Sequence, residues 1–316
     1  MAPRSTTSCG STGARTVASG ARLRPRPEAG SRAPAGEAGP VLHTRSGPVP
    51  LDRVVLVGIL NATPDSFSDG GCHLDPGAAA ATAAAMVAAG AGVLDLGAES
   101  TRPGATPVPL EEERRRLLPV LAAVRMAVGV PLSVDTTKAD VARAALDAGA
   151  DVVNDVSAGR GDPGMLPLCA RERVPVVLMH MQGTPVTMQR APCYADVVAE
   201  VAAFLAGRAA AAVEAGVARD AIVLDPGIGF GKSVAHNLAL LARLDVLADL
   251  GYPVLVGASR KGFIGELLGG RGPGERLFGT AAVLALAVAR GARLLRVHDV
   301  AAARDVVAVA EAIARA

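Results

Sequence analysis

The sequence predicts an α/β fold: a (β/α)8 TIM barrel preceded by a disordered N-terminal extension. Three observations carry this. Short β-branched runs alternate with Ala-, Leu- and Arg-rich helical stretches, the rhythm of a parallel sheet with crossover helices. The strand runs are continuously apolar, so both sheet faces are covered. The unit repeats eight times between residue 52 and the C-terminus, the count that closes a barrel. The competing open, doubly wound sheet would place a dominant G-x-G-x-x-G turn after its first strand. Asn61-Ala62-Thr63-Pro64-Asp65 stands there instead.

In chain order, residues 1–48 come first. They hold seven Arg and two Glu, net +5, so the remainder of a +2 chain carries −3. Rich in Gly, Pro and Ser and without an apolar period, they read as a disordered basic tail. Their deletion should then leave activity and stability intact. They contain no apolar stretch of a secretory signal, and their many Gly and Pro disfavour the amphipathic helix of a transit peptide. The barrel, 52–316, has strands expected at 54–60, 93–96, 131–134, 151–153, 174–179, 221–224, 253–256 and 294–297. Helices are expected near 76–89, 110–127, 138–148, 164–172, 195–215, 235–249, 275–289 and 300–315.

Composition excludes several functions. A net charge of +2 gives no field for nucleic acid or an anionic membrane. Two Tyr, five Phe and no Trp leave few rings on which bases could stack. The uncharged run Pro76–Leu94 is mostly Ala and Gly, too weakly apolar to span a bilayer. Four Cys with no C-x-x-C make neither a disulfide framework nor a zinc site. A reducing, cytoplasmic location fits.

A barrel carries its site at the C-terminal ends of its strands. Each expected strand ends in polar residues: Asn61 and Asp65; Asp95, Thr101 and Arg102; Asp135 and Lys138; Asn154 and Asp155; His180; Asp225 and Lys232; Ser259, Arg260 and Lys261; Arg296, His298 and Asp299. A single Asp after a strand is more often a helix cap than a ligand contact. Eight such ends together are harder to explain by capping. The chain has only three Lys against 29 Arg, and only three Asn. Lys138, Lys232, Lys261, Asn61 and Asn154 all fall in or near these ends. Asp225-Pro-Gly-Ile-Gly-Phe-Gly-Lys232 resembles a phosphate loop but has Pro226 where a Walker A motif needs Gly. His180 and His298 lack metal-ligand spacing. Carboxylates beside Asn suit a heterocycle with several N–H donors, and cations beside Asn61 suit a phosphate, with or without Mg2+. A phosphorylated heterocycle satisfies both.

These residues resemble the dihydropteroate synthase family of pterin-binding barrels. The matching motifs are Gly58-Ile-Leu-Asn61-Ala-Thr-Pro-Asp65-Ser-Phe67, Asp95-Leu-Gly-Ala-Glu-Ser-Thr101-Arg102-Pro103-Gly104, Ser133-Val-Asp135-Thr-Thr-Lys138 and Val153-Asn154-Asp155-Val156. They continue with Met179-His180-Met181, Asp225 to Lys232, Ser259-Arg260-Lys261 and Arg296-Val-His298. The resemblance implies a transferase of folate biosynthesis. It would condense 6-hydroxymethyl-7,8-dihydropterin pyrophosphate with p-aminobenzoate, giving 7,8-dihydropteroate and pyrophosphate, with sulfonamides as mimics of the second substrate. It implies that Asp135, Asn154, Asp225 and Lys261 hold the pterin between walls of Val156 and Met179. Asp95 and Thr101 would line the same pocket. Asn61 would ligate Mg2+, and Arg296 and His298 would grip pyrophosphate. Phe67, Arg102, Pro103 and Phe230 would shape the p-aminobenzoate slot, the first three on loops after strands 1 and 2 that suit a mobile lid. A homodimer is also implied. Position 262 is Gly where many relatives have Ser, which leaves only backbone N–H groups there for the p-aminobenzoate carboxylate. A pterin-binding methyltransferase would not need the Asn61 loop or Ser259-Arg260-Lys261, and a non-catalytic paralogue should have lost loop residues that are present here.

Overall fold

A computed structural model describes residues 39–62 and 75–316. Phe67, Asp65 and residues 1–38 lie outside the described residues. The barrel strands are β3 (Val55–Asn61), β4 (Val93–Gly97), β5 (Leu132–Asp135), β6 (Val152–Asp155), β7 (Val176–Met179), β8 (Ile222–Asp225), β9 (Leu255–Val256) and β10 (Leu294–Val297). All pair in parallel, in the order β8-β7-β6-β5-β4-β3-β10-β9. The ring closes where Leu224 of β8 bridges in parallel to Val254, and the Leu224 N–H donates to the Pro253 carbonyl at 2.9 Å. The eightfold reading of the sequence therefore holds.

Two short strands precede the ring and correct the expected boundary of the tail. β1 (Val41–Thr44) and β2 (Gly47–Pro50) form an antiparallel hairpin. Its turn takes Gly47 to φ +128, and the Thr44 hydroxyl donates to the Gly47 carbonyl at 2.6 Å. Leu42 and Val49, with the following Leu51, bury against Val57, Val93, Val152, Val177, Val223, Leu255 and Leu294. Those residues lie at the N-terminal ends of the strands, so the hairpin plugs the barrel floor. Asp151 fastens it: its carboxylate accepts from the Ser46 N–H at 2.6 Å and the Ser46 hydroxyl at 2.9 Å. Two prolines and a four-residue strand length conceal the hairpin from periodicity, although Pro is tolerated in edge strands.

The helices form the outer layer: α1 (Pro76–Ala88), α2 (Leu110–Ala127), α3 (Ala139–Asp147), α4 (Met165–Glu172), α5 (Val197–Glu214), α6 (Val234–Ala242), α7 (Asp245–Ala248), α8 (Gly262–Leu267), α9 (Leu277–Ala289) and α10 (Val300–Arg315). The expected 235–249 helix is two, broken at Arg243. Leu240, Leu241, Leu244 and Leu247 stay buried across the break, so the apolar period runs through it unbroken. The short α8, in the loop after β9, was not expected. Among the described residues no helix is long and apolar enough to cross a membrane.

Candidate active site

Strand register builds the site. Asp95 pairs in register with Ser133, Gly97 with Asp135, Asp135 with Asn154, and Met179 with Asp225. The polar residues therefore form one layer across the upper barrel. Asp95, Asp135, Asn154 and Asp225 are all buried. A cavity of about 320 Å3 is lined by Thr101, Asp135, Asn154, Val156, Met179, Asp225, Phe230 and Arg296, with Gly227, Ile228 and Gly257. Eight residues named from the sequence thus share one concavity. Asp95 and Asn154 also line a second cavity of about 340 Å3 between this layer and Leu42 of the floor hairpin.

Arg296, on β10, organises the layer. Its Nε donates to Asp95 Oδ2 at 2.6 Å, and its Nη2 donates to Asp135 Oδ2 at 3.0 Å. Asn154 Nδ2 donates to the same Asp95 oxygen at 3.1 Å. Asp95 Oδ1, Asp135 Oδ1 and Ser133 Oγ are buried without a hydrogen-bond partner among the described residues. Buried polar atoms rarely stay unpaired, so the layer presents acceptor capacity to whatever fills it. Ser133 carried no candidate role from sequence. Its position two residues before Asp135 on one strand, hence on the same face, was the available signal.

The Gly-rich segment is a wall. Asp225 Oδ1 accepts from the Gly227 N–H at 2.6 Å. Gly227 has φ +65, and a Cβ there would stand 1.9 Å from the His180 carbonyl oxygen. Only Gly fits. The tight turn brings Phe230 against Val156, Met179, Met181 and Met188. Lys261 Nζ sits 4.0 Å from the Phe230 ring centroid, a cation–π distance.

Other expected residues are used differently or stand apart. Asp155 caps its own loop, accepting from Ser157 N–H, Ser157 Oγ and Gly159 N–H at 2.6–2.7 Å. Lys232 and His180 pair behind the Gly-rich wall instead of facing the mouth. Asp299 forms a bidentate pair with Arg260. Asn61 ends β3 and is half-buried, Arg102 and Pro103 are exposed, and His298 hydrogen-bonds Ser259 at 3.1 Å. None of these four lines the 320 Å3 cavity. Gly262 begins α8, and a Cβ there would meet open space.

Comparison with known proteins decides the family. Residues 57–298 match the model described as pterin binding enzyme. Dihydropteroate synthase of Synechocystis is 46% identical over 263 residues, covering 83% of this chain and 91% of the relative. The chain belongs to the dihydropteroate synthase family of pterin-binding enzymes. These are transferases of folate synthesis. Among solved members, the Xanthomonas albilineans dihydropteroate synthase with 4-aminobenzoic acid superposes with TM-score 0.82 at 52% identity, covering 87% of this chain and 98% of that one. The Yersinia pestis dihydropteroate synthase in a sulfonamide drug complex gives 0.83 at 43%, covering 87% and 100%.

Burial dominates the electrostatics of this family site. It pushes the Asp225 carboxyl up to about 6, against the Gly227 N–H, Lys261 and Arg296. It raises Asp135 too, with Arg296 opposing and the Asp95 charge assisting. Burial draws Lys261 down to about 8, with Arg296 adding to the fall. Burial, then Arg260 and Arg296, hold His298 down to about 4. Near neutral pH His298 is therefore uncharged and offers an N–H. No cluster of three or more His, Cys, Asp or Glu that could hold a metal occurs among the described residues.

Proposed function

We propose that the 320 Å3 cavity holds the pterin of 6-hydroxymethyl-7,8-dihydropterin pyrophosphate and that p-aminobenzoate enters beside it. The observation that carries this is the pair Asp135 and Asp225 on one cavity, each a buried carboxylate, with Asp135 Oδ1 unpartnered. A flat ring with several N–H donors meets that demand, and a ring without donors leaves it unmet. Asn154 adds an amide, and Lys261 a donor held over Phe230. Val156 and Met179 supply apolar walls.

The reaction needs no protein nucleophile. Arg296 carries the charge and His298 the N–H that would receive the departing pyrophosphate. The pterin methylene left behind is stabilised by its electron-rich ring. The neutral aromatic amine attacks it and sheds its proton, forming 7,8-dihydropteroate. Thr101, Arg102, Pro103 and Phe230, with Phe67, would position the amine and exclude water. Asp95 keeps Arg296 aimed through its 2.6 Å bond.

Mg2+ fits the donor chemistry. This ion keeps several waters and binds through substrate phosphates with one or two protein carboxylates; here the amide oxygen of Asn61, at the end of β3, would take the place of a carboxylate. When bound, Mg2+ supplies charge neutralisation for the leaving group. We further infer a homodimer in the cytoplasm. Exposed Phe278 and Leu286 on α9 and Val309 and Ile313 on α10 support the first, and free Cys169 and Cys193 the second.

Isothermal titration of the pterin pyrophosphate with and without Mg2+, followed by p-aminobenzoate, tests the site. Pterin binding strengthened by Mg2+, then pyrophosphate release on adding the amine, is expected. No pterin binding would overturn the reading.

A further inference from the structure

The loop from β4 to α2, residues 98–109, carries Thr101, Arg102 and Pro103, and it is held at two points. At its neck, Glu99 Oε1 accepts from the Val108 N–H at 2.8 Å. Near its tip, the Gly104 N–H donates to the Pro185 carbonyl at 2.9 Å. The other oxygen of Glu99 leaves the loop altogether. Lys138 Nζ donates to Glu99 Oε2 at 2.6 Å and to Glu113 Oε2 at 2.5 Å. Glu113 stands on α2, and its side chain is 0% exposed against 15% for Glu99 and 24% for Lys138. Its second oxygen accepts from the Thr136 hydroxyl at 2.7 Å. Thr136 follows Asp135 of the cavity, and its N–H donates to the Asn154 carbonyl at 3.1 Å.

A continuous polar chain therefore runs from the loop neck through Glu99, Lys138, Glu113 and Thr136 to the two strand ends that carry Asp135 and Asn154. Exposed ion pairs contribute little to stability, but this one is anchored on a fully buried carboxylate that needs its cation. Lys138 already satisfies Glu113. Its second contact, to Glu99, adds nothing to that burial and fastens the loop. A compact ammonium fits between two carboxylates where a planar guanidinium demands a fork, which accounts for one of the three lysines in a chain with 29 Arg.

We propose that Lys138 is a positioning residue for the p-aminobenzoate site: it joins Glu99 to Glu113 and so holds the β4–α2 loop in the shape the second substrate meets. This rests on the reading that Thr101, Arg102 and Pro103 shape that slot. Lys138 touches neither substrate and acts through Glu99.

The test is steady-state kinetics of the full chain with Mg2+, both substrates varied. Glu99→Gln keeps an oxygen for the Val108 N–H but loses the ion pair. Lys138→Met combined with Glu113→Gln cuts the link without stranding a buried charge. If the anchored loop falls to about one tenth of the population, KM for p-aminobenzoate rises about tenfold, while kcat and KM for the pterin pyrophosphate stay within about twofold. A rise in both KM values together, a fall in kcat alone, or no change in Glu99→Gln would overturn the proposal. Should the double variant not fold, Glu99→Gln decides. Arg102→Ala separates the two layers of the argument. If it leaves KM for p-aminobenzoate unchanged, the slot reading fails and this proposal with it. If it raises that KM and Glu99→Gln does not, only the positioning role of Lys138 fails.

Discussion

Lys232 Nζ lies 2.9 Å from His180 Nδ1, and both side chains are buried behind the Gly-rich wall of the cavity. Lys232 also donates to the Phe230 carbonyl at 3.0 Å and faces the His180 carbonyl at 3.4 Å. Burial draws Lys232 down to about 7; in its charged form it has no acceptor, so Nδ1 then accepts and the imidazole carries its proton on Nε2. Phe204 meets the ring edge-on at 4.8 Å between centroids. Burial, then the charges of Lys232 and Arg160, hold His180 down to about 3. Lysine and histidine together brace the turn that aims Phe230 and Asp225, from outside the cavity.

An acid sensitivity follows from that pair. The folded chain keeps His180 unprotonated down to about pH 3, whereas the unfolded chain takes up a proton near 6.5. Between those values the unfolded state binds more protons, so the contribution of His180 is complete above about pH 6.5 and falls as pH drops through the window. The loss from this one group is on the order of 4 kcal/mol by pH 3. His180→Gln offers Lys232 an amide oxygen that does not titrate. Urea unfolding at pH 7 and pH 4.5 should show a smaller drop for the variant than for the parent chain. Equal drops would mean that His180 is not the acid-labile group.

The floor hairpin gives a packing prediction. Leu42 is 1% exposed and faces seven apolar residues at the barrel floor. Leu42→Ala should cost about 2–5 kcal/mol, the range for a large-to-small core change. Removing residues 1–48 should cost at least as much, because it takes most of the hairpin and the Ser46 contacts to Asp151. Thermal melts of both variants check this. A melting temperature unchanged by the truncation would restore the view that the whole segment is dispensable.

The sequence showed the eight barrel units and most of the cavity because both follow from short-range signals. Continuous apolar strands alternate with helices, and polar residues at strand ends must share a mouth once the ring closes. The hairpin was hidden because the residues it packs on are spread over seven strands from Val57 to Leu294, and its own ten residues are too few to show a period. Glu113 was hidden for a similar reason. In Glu111-Glu112-Glu113 it reads as one more first-turn charge, and only the tertiary packing of α2 buries it beside Thr136. Lys232 and Asp155 were placed at the right strand ends, but their side chains turn away from the mouth, which the order of residues does not encode.

Asp225 should give pterin binding an acid limb. Its carboxyl sits near 6 in the free chain, and only the ionised form offers acceptors to pterin N–H groups from both oxygens. Affinity for the pterin should be full at pH 7.5 and fall about tenfold per unit once pH drops well below 6. Asp225→Asn should weaken binding about ten- to hundredfold at pH 7.5, the cost of losing a charged buried hydrogen bond, and should make the limb shallower, leaving the part that Asp135 sets. Titration calorimetry at pH 5 and pH 7.5 on both proteins decides. Wild-type affinity in the variant would remove Asp225 from the pterin site.

Arg296 should show the opposite dependence in a stability measurement. It bonds Asp95 at 2.6 Å and Asp135 at 3.0 Å. Arg296→Met would leave two buried carboxylates without that cation, and breaking a buried pair in this way costs about 3–5 kcal/mol. Part of that cost is relieved by protonation. Asp135 is already raised by burial in the parent chain, where Arg296 opposes the rise. Without Arg296 its folded pKa climbs further above the unfolded carboxylate value. Between those two values the folded state binds more protons than the unfolded state, so stability increases as pH falls through that window. The deficit of Arg296→Met relative to the parent chain should therefore be smaller at pH 5 than at pH 8. The difference between proteins cancels the acid loss that His180 imposes on both. Adding Asp135→Asn to the variant should flatten the pH dependence of the deficit by removing the titrating group. A deficit constant from pH 5 to pH 8, or one that grows toward acid, would show that Asp135 remains ionised without its arginine.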